Sequence, residues 1–234
     1  MVDFTGGTWR SLIDGSEVSA IPDSVVDSLE SGNLDRYDGD TSEFGVVSGG
    51  IDGDFAIEAT DSTRNLIYSD DPVDGVIPTK GMEISFYGRS QFDFGDSVQA
   101  GIAFCLSGSS VSDMDGYHLE MGHGDGEWRL MRIDNGISNT TQILREDYPS
   151  AIDTGVWVEF VFTLHDGSGA EDEDTIEVTV FEIDQSTGDR VEEHDTHTVI
   201  DDNHLDNDEY FGWANGGSGN AEKFGDNYRI IDEI

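Results

Sequence analysis

Residues 156–165 read VWVEFVFTLH, the clearest two-residue alternation in the chain. Val158, Phe160, Phe162 and Leu164 share one side, and Trp157, Glu159, Val161 and Thr163 the other. Successive side chains of a strand point to opposite faces, so the first set is expected to face a core. The run TIEVTVF at 175–181 likewise places Ile176, Val178 and Val180 inward, against Glu177 and Thr179. The connection between them, DGSGAEDED at 166–174, is acidic and glycine-rich and reads as a solvated loop.

The same period recurs along the chain between clusters of Gly, Asp, Ser and Asn, with 29 glycines in all. Helical periodicity is almost absent. That pattern predicts an antiparallel sandwich. Strands are expected near Phe44–Val47, Phe55–Ala59, Asn65–Tyr68, Met82–Tyr87, Gln99–Leu106, Gly116–Met121, Glu127–Ile133 and Thr140–Leu144. Others follow near Val156–His165, Thr175–Ile183, Val191–Thr198, Tyr210–Ala214 and Tyr228–Ile231.

Of the 234 residues, 35% are hydrophobic and 10% aromatic, which describes a folded domain with a thin core rather than a disordered acidic chain. Charge dominates the composition. There are 51 Asp and Glu against 11 Lys and Arg, a formal net charge of -40. Such a chain repels itself at low ionic strength, whereas at molar salt the Debye length falls to about 3 Å. Lys80 and Lys223 are the only lysines. An acidic, lysine-poor surface resembles the proteins of salt-in halophilic archaea and their viruses; an acidic mesophilic protein that binds calcium or a basic partner is the alternative. No basic stripe exists to neutralise phosphates, so nucleic acid is not an expected partner. Cys105 is the sole cysteine, lies in the apolar run GIAFCLSG, and reads as a small buried hydrophobe. Neither a secretory signal nor a membrane-spanning run is read, so synthesis in the cytoplasm is expected.

Residues 1–27 carry Trp9, Leu12, Ile13, Val18 and Ile21 without periodicity and are too few to bury them alone. They read as an attachment segment ahead of a domain at 28–234, packing on that domain or on a partner protein.

From Gly116 onward the motifs DGYHLEMGHGDGEWRLMRIDNG, TGVWVEFVFTLHDG, FEIDQSTGDRV and YFGWANGGSGNAEKFGDNYRI follow one another in order. This order resembles the concanavalin A-like, laminin-G-like sandwich: a Gly-Tyr strand, a Gly-x-Trp strand, an Asp-x-x-Thr-Gly hairpin and a closing Asp-Asn-x-Arg-Ile strand. YFGWAN departs from the simpler Gly-hydrophobic pair usual at its position. With the opening LESGNLDRYDGDTSEF, the resemblance covers roughly 28–234 and implies an all-β, antiparallel jelly-roll β-sandwich with a short N-terminal attachment segment. TWRSLIDGSEVSAIPDSVV is in turn similar to segments opening structural proteins of haloarchaeal viruses and proviruses.

The resemblance bears on FEIDQSTGD at 181–189. Laminarinase-type glycosidases of this fold carry three acids, Glu-x-Asp-x-x-Glu or Glu-x-Asp-x-Glu, on one strand. Here Glu182 and Asp184 are followed by Gln185, Ser186 and Thr187, so the third acid is missing, and Asp, Ser and Gly are turn formers. The stretch reads as a hairpin turn, and no enzymatic activity is expected, a degenerate hydrolase being the alternative. The family also implies a Ca²⁺ site between an acid near the first strand and an Asp on the last, which by position are Glu30 and Asp226. DDNHLDNDE at 201–209 lacks the central Gly and closing Glu of an EF-hand. His194 and His197 are expected on opposite strand faces, and His118 and His123 have no further ligand at tetrahedral spacing. Sugar binding on such sandwiches uses aromatic platforms and planar polar groups. Trp128, Arg132, Tyr148, Trp213 and Asn215 are the candidates, with burial of Trp128 and Trp213 in the core as the alternative. The expectation is a structural protein on the surface of a haloarchaeal virion. It would be a homo-oligomer attached to other virion proteins through residues 1–27, recognising a host-surface glycan or glycoprotein.

Overall fold

The computed structural model describes residues 29–51, 53–59, 63–69, 80–90, 100–123, 126–148, 155–167, 173–207, 209–217 and 223–232, with the backbone of four short strands before residue 28. Those four are β1 (Asp3–Thr5), β2 (Thr8–Arg10), β3 (Glu17–Val18) and β4 (Ser24–Asp27). There follow β5 (Tyr37–Gly39), β6 (Phe44–Ser48), β7 (Phe55–Ala59), β8 (Arg64–Ser69), β9 (Met82–Ser90), β10 (Ala100–Ser107) and β11 (Asp115–His123). The rest are β12 (Glu127–Ile133), β13 (Thr140–Asp147), β14 (Trp157–His165), β15 (Thr175–Ile183), β16 (Arg190–Ile200), β17 (Tyr210–Gly216) and β18 (Lys223–Asp232).

Two antiparallel sheets form a sandwich. The first has the order β13-β12-β11-β10-β17-β8-β5 and the second β16-β15-β14-β9-β18-β7-β6, with β4 also paired to β18. Each expected strand is present. β5 was not anticipated: its three residues, YDG, are too short to show alternation, although Tyr37 is buried. Among the described residues β1, β2 and β3 pair with one another, whereas β4 pairs with β18 through Asp27 and Tyr228.

Alternation sets the core. Phe160, Phe162 and Leu164 of β14 and Ile176, Val178 and Val180 of β15 join Ile84 and Phe86 of β9 on the inner face of the second sheet. Phe104, Tyr117, Leu119, Trp128, Leu130 and Trp213 oppose them from the first. Cys105 is buried and takes a left-handed φ of 49°, and register shifts flank it on both neighbouring strands. This is a β-bulge, and a Cβ on the facing Gly116 would come within 2.6 Å of the Cys105 carbonyl. No helix among the described residues is long and apolar enough to cross a membrane.

Candidate functional site

The five residues expected to bind sugar are not brought together. Trp128 packs edge-on against Phe160 at 5.9 Å, and Trp213 donates its Nε1–H to the Tyr37 hydroxyl at 3.0 Å. Both indoles are buried in the core and offer no face to a sugar, because strand parity groups them with Leu130 and Phe211. Asn215 is fully buried, and Tyr148 lies half-buried against Phe160. Arg132 sits at the end of the sandwich, bonded to Asp134 at 3.1 Å and to Asp201 at 2.7 Å. Asp201 also accepts the Tyr117 hydroxyl, so Arg132 belongs to a latch holding the 201–204 segment to the first sheet.

FEIDQSTGD closes the β15–β16 hairpin. The Asp184 carbonyl accepts the Gly188 N–H at 2.9 Å, and its carboxylate accepts the Ser186 N–H at 2.8 Å. Ser, Asp and Gly each supply what a tight turn requires. The turn folds over the outward face of the second sheet and is fixed there at two points. Gln185 bonds both the N–H and the C=O of Trp157, at 2.7 and 2.8 Å, and the Tyr87 hydroxyl donates to the Gly188 carbonyl at 3.2 Å.

Under this turn is a pocket of about 330 Å³ lined by Glu83, Ser85 and Tyr87 of β9, Glu159 of β14, Gly188, Asp189, Arg190 and Arg229. Its chemistry is mixed. Arg190 grips the buried Glu159 carboxylate with Nε at 2.6 Å and Nη2 at 2.9 Å, and that carboxylate raises the guanidinium pKa. The same guanidinium lies 4.2 Å from the centroid of Phe181, Arg229 lies 5.3 Å from that of Tyr87, and Arg89 beside the pocket lies 4.9 Å from that of Trp157. Three of the few cations in the chain thus stack on rings across one sheet face. Glu159, on the outward side of VWVEFVFTLH, is the one lining residue whose orientation follows from strand alternation. The remaining lining residues come from separated strands with no shared motif.

Glu30 and Asp226 converge on the loop between β6 and β7. Glu30 Oε1 accepts the N–H groups of Asp54 at 2.9 Å and Phe55 at 3.3 Å, and Asp226 Oδ2 accepts that of Ile51 at 2.7 Å. A Cβ at Gly53 would stand 2.1 Å from Glu30 Oε1, and one at Gly50 2.7 Å from Asp226 Oδ2, so only glycine admits the carboxylates this close. Two carboxylates drawn onto one glycine-rich loop are hard-oxygen donors of the kind Ca²⁺ takes, two of the six to eight oxygens it needs. No group of three or more His, Cys, Asp or Glu side chains arranged to hold a metal occurs among the described residues. Ile51 of this loop packs with Tyr87 and Trp157, so the loop abuts the wall of the pocket.

No protein-family model matches the chain, and no curated protein does. Solved structures do. A legume lectin-like domain from Entamoeba histolytica aligns with a TM-score of 0.52 at 11% identity, covering 84% of this chain and 90% of that one. The VIP36 exoplasmic/lumenal domain in its Ca²⁺/Man3GlcNAc-bound form gives 0.52 at 12%, covering 85% and 83%. A PL-14 alginate lyase from Aplysia kurodai gives 0.51 at 12%, covering 82% and 88%. At these identities the likeness concerns architecture alone. The fold of residues 29–232 is a concanavalin A-like antiparallel β-sandwich.

Proposed function

We propose that the protein is a non-catalytic glycan-binding module on the surface of a haloarchaeal virus particle, and that the sugar occupies the pocket beneath the β15–β16 turn. The observation carrying this reading is the pocket's lining: carboxylates, guanidinium groups and a hydroxyl beside the Tyr87 ring. A sugar presents the complement, an apolar ring face and hydroxyls that each donate and accept. The volume, about 330 Å³, suits one or two sugar units. Catalysis is disfavoured by the carboxylates themselves. Both oxygens of Glu159 are taken by Arg190. The Glu159 carboxylate is therefore an anchor for Arg190 rather than a nucleophile.

Glu30 and Asp226 would be the residues to hold Ca²⁺ at the β6–β7 loop, and a bound cation would offset their negative charge. Attachment to other virion proteins is assigned to residues 1–27, in which β1, β2 and β3 pair with one another while β4 pairs with β18, and a homo-oligomer suits display on a particle.

The experiment is binding of purified protein to haloarchaeal cell envelopes and their released glycans in molar KCl, with Ca²⁺ or chelator. Saturable binding that weakens about tenfold in Ser85→Ala or Asp189→Asn is expected, equivalent to about 1.4 kcal/mol. Chelation is expected to lower the melting temperature. Absence of binding, together with absence of the protein from purified particles, would overturn the reading.

A further inference from the structure

On the opposite side of the sandwich, the outward face of the first sheet holds buried polar atoms that no described residue satisfies. His118 and Glu120 stand two residues apart on β11, so their side chains share a face. Tyr117, Leu119 and Met121 between and beside them point into the core. His118 is 0% and Glu120 1% exposed. Both ring nitrogens of His118, Oε1 of Glu120 and Nε of Arg129, which is paired with Glu120 across β12, are buried without a hydrogen bond. The approach of His118 Nε2 to Glu120 Oε1 is 3.8 Å, too long for one. Buried polar groups are nearly always bonded, so four unsatisfied atoms on neighbouring rungs call for an occupant.

The charges around the patch select what it is. Arg64 reaches from β8 toward the β12–β13 turn, donating to the Ile137 carbonyl at 3.4 Å and to the Thr140 hydroxyl. No carboxylate among the described residues pairs with it, in a chain with 51 acids. Burial, reinforced by the Arg64 charge, pushes His118 down to about 3, so its ring is neutral with one N–H to give. Burial pushes Glu120 up against the pull of Arg64 and Arg129, which favours the carboxylic acid and its O–H donor.

We propose that this patch is an enclosed site for one small monovalent anion of the halide class, held by Arg129 Nε–H, the His118 ring N–H and the Glu120 carboxyl in the field of Arg64. The guanidinium groups of Arg64 and Arg129, the latter also paired with Glu127 at 3.3 Å, disfavour a metal cation. Complete burial excludes anything the size of a sugar. The site is independent of the pocket on the second sheet and does not rest on the glycan reading.

The test is a crystal of the intact chain grown with bromide in place of chloride, examined by anomalous diffraction. It is paired with melting curves in potassium bromide and in potassium gluconate at equal ionic strength. An anomalous peak between His118, Glu120 and Arg129 is expected, with a melting temperature higher in bromide than in gluconate. Glu120→Gln, which keeps a donor in a side chain of the same shape, should retain the peak, and Arg64→Met should weaken it. A water, a metal ion or no density at that position, with equal melting in the two salts, would overturn the proposal, and the unmutated protein decides this even if a variant fails to fold.

Discussion

Arg190 and Glu159 carry the largest single-residue consequence. Glu159 is buried on an outward sheet face and, among the described residues, its one ion pair is with Arg190. Arg190→Met should leave an uncompensated buried charge. For a fully enclosed pair the loss would be about 3–5 kcal/mol, but the Arg190 side chain is 44% exposed and water can reach the gap, so about 2–3 kcal/mol is expected. Glu159→Gln combined with Arg190→Met should regain most of this, as a double-mutant cycle in molar salt would measure. A second residue-scale expectation concerns acid. Burial alone would raise Asp201, but hydrogen bonds from Asn203 and Arg132 outweigh it and hold the carboxyl below its ordinary 3.8. A carboxyl depressed in the folded state adds stability that is fully present above the unfolded value and is lost as pH falls through the folded one. Between roughly pH 4 and pH 2, the unmutated protein should therefore lose more stability than Asp201→Asn, by calorimetry at constant salt.

Among the elements, the β15–β16 hairpin decides whether the pocket exists, since its turn supplies Gly188, Asp189 and Arg190. Gln185 fastens it by two bonds to the Trp157 backbone. Gln185→Ala should cost about 1–2 kcal/mol and raise amide exchange across 184–189, leaving β14 protected. These elements also mark how far the sequence could be read. Strand faces were legible because burial imposes a two-residue period, which VWVEFVFTLH shows plainly. The turn in FEIDQSTGD was legible because Asp, Ser and Gly act locally. The same parity that turns Glu159 outward sends Trp128 and Trp213 into the core, so neither indole lies on a surface. Glu30 and Asp226, drawn from the family resemblance, do meet at one loop. The pocket was not legible, because Ser85, Glu159, Arg190 and Arg229 become neighbours only through the order β16-β15-β14-β9-β18.

At the scale of the whole molecule, net charge governs behaviour. A formal charge of -40 on 234 residues makes the folded state its own strongest opponent at low salt. Raising KCl from 0.1 to 2 M shortens the Debye length from about 10 Å to near 2 Å and removes most of this repulsion. The melting temperature should climb by more than about 10 °C over that range, on the scale of about 2–4 °C per kcal/mol for a domain of this size. A flat or falling curve would remove the halophilic assignment. The paired ions are placed consistently with this. Arg190, Arg132 and Lys80 each sit among carboxylates at sheet ends or faces, so repulsion is relieved locally where strands and loops must meet.

The proposed saccharide site on the outward face of the second sheet, beneath the β15–β16 turn, is tested by amide chemical-shift mapping of the isotope-labelled protein in molar KCl during titration with glycans released from haloarchaeal envelopes. Saturable shifts centred on Ser85, Tyr87 and 188–190 are expected, absent or strongly weakened in Asp189→Asn. Shifts centred elsewhere, or none at saturating glycan, would rule the site out.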